Sequence, residues 1–186
     1  MKPWLLNLLA CPIDKHHPLQ AYFFKWASTP EEIEEQIAAV GKTPNAIKDE
    51  LKILAKQVVD GVISQAAVES IHDQSGVDAA VKFHGIVGEA VKHIASLKES
   101  GVRSLVDSES LVSLHRYMNL LDVEAGLLYC TECGRWYPIG SSLESVPEML
   151  PDDLREEEKD LAWLKEWKEK IPENILQSGK PYSLPT

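Results

Sequence analysis

Gly126-Leu127-Leu128-Tyr129-Cys130-Thr131-Glu132-Cys133-Gly134-Arg135-Trp136-Tyr137-Pro138-Ile139 is the most informative segment of this 186-residue chain. Two short β-prone runs in it flank a tight turn that holds Cys130 and Cys133. Gly134 permits a positive φ, which lets the backbone amides of the turn face both sulfurs, so that two thiolates can point at one cation. The segment therefore predicts one half of a zinc site. A redox pair or a turn that no longer binds metal stays open, although a thioredoxin-type pair would lead into a helix.

A second turn of the same length begins at Cys11, and Asp14 stands there in the place of a fourth cysteine. Aspartate oxygen can bind zinc, but it is a harder ligand than thiolate, so three cysteines with one aspartate are an uncommon set. His16 or His17 could instead complete a more ordinary set with one histidine. A site that binds metal weakly or not at all is the alternative interpretation. The predicted zinc ligands are Cys11, Asp14, Cys130 and Cys133, with His16 and His17 as alternatives for the fourth.

Composition is that of a soluble globular protein, with 44% hydrophobic and 26% charged residues. Nineteen Lys and Arg against 29 Asp and Glu give a formal net charge of -10 at pH 7. Because this charge repels phosphate backbones and anionic lipid headgroups, we expect neither nucleic acid nor a membrane as a direct partner. The apolar run 4–10 is too short to span a bilayer and lacks signal-peptide features. Together with a Cys-x-x-Cys pair that suits a reducing compartment, this predicts a cytoplasmic location.

Charge is distributed unevenly along the chain and divides it into four pieces. Residues 1–26 and 127–150 are together neutral, whereas 27–126 holds nine basic and 16 acidic residues. Residues 151–186 hold six basic and nine acidic residues. We therefore expect a zinc-binding-like core made from 1–26 and 127–150, a helical insertion over 27–126, and an acidic helical extension over 151–186.

Helical patterns fill the middle piece. Capping residues predict helix starts at Thr29-Pro30-Glu31-Glu32, at Thr43-Pro44, and at Asp107 or Ser108. Apolar residues three and four positions apart predict a long helix over 76–97. Each apolar stripe needs a partner surface, so the helices are expected to pack as a small bundle.

The flanking pieces predict a different structure. Aromatic and β-prone runs at 19–26, 126–129 and 135–139 predict a small antiparallel sheet, so the fold class is α+β with a zinc-ribbon-like core. In the tail, the acidic run 152–158 is interpreted as a solvated helix start. One tail helix is expected, followed by a loose end at Pro181 and Pro185. Its apolar face is predicted to consist of Leu161, Leu164, Trp167 and Ile171.

Three segments in this order, Met1–Pro12, Gly126–Ile139 and Val146–Pro151, resemble a known family. It comprises the small zinc-binding subunits that activate tRNA, ribosomal RNA and release-factor methyltransferases, together with shorter bacterial relatives. Larger members carry a helical insertion between the two halves of the core, which is what 27–126 looks like. The resemblance implies zinc ligands at Cys11, Cys130 and Cys133, and it places Asp14 where many members have the fourth cysteine.

The resemblance also implies a function without chemistry of its own. Such a subunit forms a heterodimer with a class I S-adenosylmethionine-dependent methyltransferase, pairs an edge strand with the partner's sheet and covers apolar surface. The sequence agrees, since it contains no Gly-rich phosphate loop, no S-adenosylmethionine loop and no convincing catalytic residues. The expected partner-binding residues are Trp4, Leu5, Trp136, Pro138, Ile139, Val146, Met149 and Leu150.

Other function classes stay open from the sequence alone. A zinc-ribbon module that binds nucleic acid needs a basic face, and the two core pieces hold only Lys2, Lys15, Lys25 and Arg135. A general protein-interaction module would use the same core without a methyltransferase. A redox or metal-dependent enzyme would need a perturbed thiol or an open metal position.

Overall fold

The computed structural model describes residues 1–41, 47–96, 108–143 and 145–184 of the chain. Within these residues, one four-stranded sheet is accompanied by seven α-helices, so the predicted α+β class is confirmed. The strands are β1 (Gln20–Trp26), β2 (Ile71–Asp73), β3 (Val123–Tyr129) and β4 (Trp136–Ile139). The helices are α1 (Pro30–Ala38), α2 (Lys48–Val59), α3 (Gln65–Glu69), α4 (Asp78–Ala95), α5 (Glu109–Leu120), α6 (Glu157–Trp167) and α7 (Glu173–Ser178).

The strand order in the sheet is β2-β1-β3-β4. Antiparallel pairing joins β1 to β3 and β3 to β4, as the aromatic and β-prone runs predicted. Strand β2 pairs in parallel with β1 and comes from within the stretch 27–126, where only helices were expected. Three residues are too few to show a period of two, so β2 had no recognisable pattern. Strand β4 lies at one edge of the sheet.

The helix starts follow the capping residues. Thr29 and Glu32 form a complete capping box at α1, because each side chain bonds the backbone amide of the other. Ser108 caps α5 by accepting a hydrogen bond from the Leu111 amide, at 3.3 Å. The long helix expected over 76–97 is α4. The predicted start at Thr43-Pro44, the end at Leu97 and the alternative cap Asp107 lie outside the described residues.

Two hydrophobic clusters lie on opposite faces of the sheet, because successive side chains of a strand point to opposite faces. The inner cluster holds Phe23 and Leu128 from the sheet, together with the apolar sides of the helices from α1 to α5. The outer cluster holds the neighbouring residues Tyr22 and Leu127, which are covered by the C-terminal part of the chain. The members of the outer cluster are Tyr22, Phe24, Leu127, Trp136, Trp163, Leu164, Ile171 and Ile175.

Residues 151–184, which we call the cap, cover the outer face of the sheet. The expected single tail helix is divided in two, because α6 ends at Trp167 and α7 begins after Pro172. The end of the cap is not loose as far as the structure describes it, since the Lys180 amide and carbonyl both bond the strand region of β4. Pro185 lies outside the described residues.

Gly140 follows β4 directly and has a φ of 80°. A Cβ at this position would overlap the backbone carbonyl oxygen of Glu124. We expect Gly140→Ala to lower the free energy of unfolding by about 2–3 kcal/mol, because both the backbone conformation and the space exclude a side chain. Urea unfolding checks this. Gly85→Ala in α4, where a Cβ would meet nothing within 4 Å, is the control and should be neutral or slightly stabilising; equal losses would contradict the prediction.

Candidate metal centre and docking surface

Two knuckles, Cys11–Lys15 and Cys130–Gly134, have the same backbone geometry. In each, the fifth residue donates its amide to the carbonyl of the first, at 2.9 Å for both Lys15 to Cys11 and Gly134 to Cys130. Each fifth residue also has a positive φ, 65° for Lys15 and 74° for Gly134. The fourth positions, Asp14 and Cys133, are therefore structurally equivalent.

The knuckles bring four potential ligands together. One ligand atom each from Cys11, Asp14, Cys130 and Cys133 lies within 4.8 Å of all the others. The sulfurs of Cys11 and Cys133 are 3.6 Å apart, and the nearest Asp14 oxygen is 3.4 Å from the Cys130 sulfur. In a tetrahedral zinc site with bonds of 2.0–2.3 Å, the corresponding separations are about 3.8 Å and about 3.5 Å. The four residues therefore fit a structural zinc ion.

Asp14 is held as a carboxylate, the form that binds a metal. The His16 backbone amide donates to its Oδ1 at 3.0 Å, and this hydrogen bond lowers the pKa of Asp14 well below its usual range. Asp14 is exposed, whereas Cys11 and Cys130 are buried and Cys133 is intermediate. The fourth candidate ligand thus lies on the solvent side of the site.

The protein groups around the sulfurs act on the thiolates in opposite directions. Burial raises the pKa of the Cys130 thiol, so a metal has to displace its proton. The Tyr137 hydroxyl lies 3.2 Å from the Cys11 sulfur, where it can donate a hydrogen bond to a thiolate, and burial raises the pKa of Tyr137. Sequence reasoning did not assign Tyr137 to the site. The available signal was the alternation along β4, which places Tyr137 on the same inner side of the strand as Ile139.

The two histidines considered as alternative ligands lie outside this cluster. Nε2 of His16 is 3.1 Å from the Thr131 hydroxyl, and Nδ1 of His17 is 3.0 Å from the carbonyl oxygen of Leu9. Among the described residues, the group of four is the set that could hold a metal ion, and neither histidine belongs to it.

A family model described as Trm112p-like protein matches residues 2–140, which is most of the chain. The chain belongs to this family. The match includes both knuckles and everything between them, and it ends one residue after β4, so the cap lies beyond it. Membership in the Trm112p-like family suggests a methyltransferase-activator role and agrees with the resemblance found in the sequence. None of the curated proteins compared with the chain matches it.

The residues expected to bind a partner fall into exposed and buried sets in this Trm112p-like chain. Val146 and Leu150, which follow β4, are exposed by 43% and 38%, and Trp4 is exposed by 37%. Leu5 and Met149 are partly buried against the inner cluster. The buried set is Trp136, Pro138 and Ile139.

The buried set divides between the two faces of β4. Ile139 belongs to the inner cluster and contacts the chain's own core, so it does not take part in the surface proposed below. Trp136 belongs to the outer cluster, where the cap covers it completely. Alternation along the strand places Pro138 on the same side as Trp136.

Among the described helices, none has both the length and the apolar character that crossing a bilayer requires.

Asp14→Ala should weaken zinc binding by about a factor of 100 or more, because it removes one of four ligands and opens the site to water. Asp14→Cys is the matched variant and should bind zinc more tightly than the wild type, since thiolate is the softer ligand. A chelator competition that monitors zinc release measures both. Equal zinc affinity in Asp14→Ala and the wild type would show that Asp14 is not a ligand.

Proposed function

We propose that the chain is a non-catalytic subunit that binds and activates a class I S-adenosylmethionine-dependent methyltransferase acting on tRNA, ribosomal RNA or release factor. The observation that carries the proposal is the family match over 2–140, which includes both halves of the metal site. The proposed setting is the cytoplasm, where the three cysteines would stay available as thiolates. Activation would come from stabilising the partner's fold, with zinc as a structural ion.

The proposed metal ligands are Cys11, Asp14, Cys130 and Cys133. Bound zinc would supply a cross-link between two knuckles that are more than a hundred residues apart in sequence. Backbone hydrogen bonds continue directly from the second knuckle into β4, because the Cys130 amide donates to the Arg135 carbonyl at 2.8 Å. The metal site would therefore fix the edge strand that follows it.

The segment after β4 supports a docking role by its exposed apolar side chains. Leu143, Val146 and Leu150 are exposed by 66%, 43% and 38% within the short stretch before the cap. Isolated exposed apolar residues are normal, but a run of them beside a sheet edge favours a protein interface. We therefore propose Val146 and Leu150 as the exposed part of the docking surface, with the partly buried Met149 between them and with Trp4 and Leu5 as further members.

Co-expression of the tagged chain with each class I methyltransferase of its host tests the function, with co-purification and methyl transfer as the measurements. We expect one or more of these enzymes to be retained and to be more active and more soluble with the chain than without it. Retention of nucleic acid with no methyltransferase would favour a zinc-ribbon nucleic-acid binder instead.

The double variant Val146→Asp with Leu150→Asp should weaken methyltransferase retention by at least about tenfold, because it places two charges at the centre of an apolar contact. Both side chains are exposed, so folding should be preserved. Val81→Asp is the matched control, since Val81 is an apolar residue exposed by 53% on α4, away from β4. Equal retention of the double variant and the control would exclude the proposed surface.

A further inference from the structure

The cap occupies the first part of the outward edge of β4, at Trp136, whereas the Pro138 carbonyl further along accepts a hydrogen bond from the Glu148 amide, at 2.8 Å, in the segment before the cap. The Trp136 amide donates to the Lys180 carbonyl at 3.0 Å, and the Lys180 amide donates to the Gly134 carbonyl at 2.8 Å. The Arg155 guanidinium donates to the Trp136 carbonyl. A partner strand that extends the sheet at β4 would need these same backbone groups. The cap therefore already makes the hydrogen bonds that strand addition by a partner would make.

The cap also covers the aromatic face beside this edge. Trp163 stacks on Trp136 with ring centroids 5.7 Å apart, and Trp167 stacks on Phe24 at 5.5 Å. The Arg155 guanidinium lies 4.2 Å from the centre of the Trp136 ring. Tryptophan and arginine are the residues that most often anchor protein interfaces, so the cap presents to the sheet what a partner protein would present.

The family match includes the outer face of the sheet but not the cap. The strands β1, β3 and β4 lie within the matched residues 2–140, whereas the cap, 151–184, lies after them. The surface thus belongs to the part of the chain that follows the family pattern, and the cover is an addition to that part. The described residues between β4 and the cap form no helix or strand, but the Glu148 amide is bonded to the Pro138 carbonyl, so the cap would turn away from the sheet after Glu148.

We propose that the cap is a built-in competitor of the methyltransferase: residues 151–184 hold the β4 edge and the outer face closed and leave them when the partner binds. This inference rests on the proposed function and assigns the regulation of the same docking surface. It makes Trp136 and Pro138 partner contacts in the bound state only. Because the binding-competent fraction of the chain is reduced by closure, the apparent affinity for the partner is reduced by the same factor.

Gly179→Ala is the variant that loosens the cap locally. Gly179 has a φ of -65°, which alanine adopts without strain, but its Cβ would lie 2.9 Å from Cδ1 of Trp136 and 2.5 Å from the carbonyl oxygen of Ile175. The added methyl group should therefore push the end of the cap off β4. Gly88→Ala in α4 is the matched control, because a Cβ there meets nothing within 4 Å.

The test uses the full chain and the methyltransferase that co-expression retains, with binding titrations and amide hydrogen exchange as readouts. Gly179→Ala should bind about tenfold more tightly than the wild type, and Gly88→Ala should bind like the wild type. In the wild-type complex, the Lys180 amide should exchange faster than in the free chain, because its acceptor on Gly134 is lost. The Trp136 amide should stay protected by the partner's strand. This second readout depends on no variant.

Two results would overturn the inference while leaving the proposed function intact. One is a Gly179→Ala chain whose Lys180 amide exchanges faster but whose affinity for the methyltransferase is unchanged. The other is a wild-type complex in which the Lys180 amide stays as protected as in the free chain. If neither the wild type nor a loosened Gly179→Ala chain retains any class I methyltransferase of the host, the proposed function fails and the inference fails with it.

Discussion

Cys130→Ser is expected to abolish stoichiometric zinc binding and to lower the free energy of unfolding by at least about 3 kcal/mol. Structural zinc contributes about 10–16 kcal/mol in small domains that depend on it, and here the inner cluster provides part of the stability independently. Cys130 is completely buried, and its carbonyl and amide both belong to the knuckle hydrogen bonds. Replacing its sulfur therefore affects the metal and the turn together.

Elemental mass spectrometry of the purified chain and urea unfolding measure these two effects. Thr131→Ser is the control within the same knuckle, because Thr131 is exposed and a serine hydroxyl can still meet His16. It should retain full zinc content and wild-type stability. A Cys130→Ser chain with one zinc ion and unchanged unfolding would remove the metal site from the proposal.

Local signals in the sequence were enough to predict strands β1, β3 and β4, several helix starts and the pairing of the two knuckles, but not β2. The capping box at Thr29 and Glu32 depends on residues three positions apart, so it can be identified without tertiary structure. Gly134 indicated a positive φ in the second knuckle because glycine commonly has one. Lys15 has the same conformation in the first knuckle, but lysine gives no such indication, so the sequence showed the matching spacing of Asp14 and Cys133 and only the structure showed the matching backbone geometry.

The position of the cap could not be predicted because it depends on contacts between distant residues. The acidic run 152–158 was interpreted as a solvated helix start, yet Arg155 within it is buried under the sheet edge. The alternation of side chains along β4 could have been used to divide the predicted partner-binding residues between the two faces of the sheet. Since neighbours in a strand face opposite sides, Trp136 and Ile139 could not both belong to one docking face.

Arg155 and Asp160 form the least exposed of the ion pairs that the described residues of the cap make. The Arg155 Nε and Asp160 Oδ2 atoms are 2.8 Å apart, and the two side chains are only 3% and 7% exposed. The contact is mainly ionic, since Asp160 Oδ2 has no well-aligned hydrogen-bond donor among the described residues. Removing either charge should be costly, because water cannot hydrate the remaining charge while the cap is closed.

Asp160→Ala should therefore lower the free energy of unfolding by about 3–5 kcal/mol in urea denaturation, because it removes the carboxylate in direct contact with the buried Arg155 guanidinium and leaves only the weaker attraction of Asp152. Asp49→Ala is the control for an exposed ion pair: it breaks the pair with Lys52, in which the Asp49 and Lys52 side chains are 90% and 60% exposed, and should leave the free energy of unfolding nearly unchanged. Adding Arg155→Met to Asp160→Ala should recover much of the loss, since it removes the unpaired charge. Equal losses for Asp160→Ala and Asp49→Ala would mean that water reaches Arg155 and that the cap is already open in the free chain.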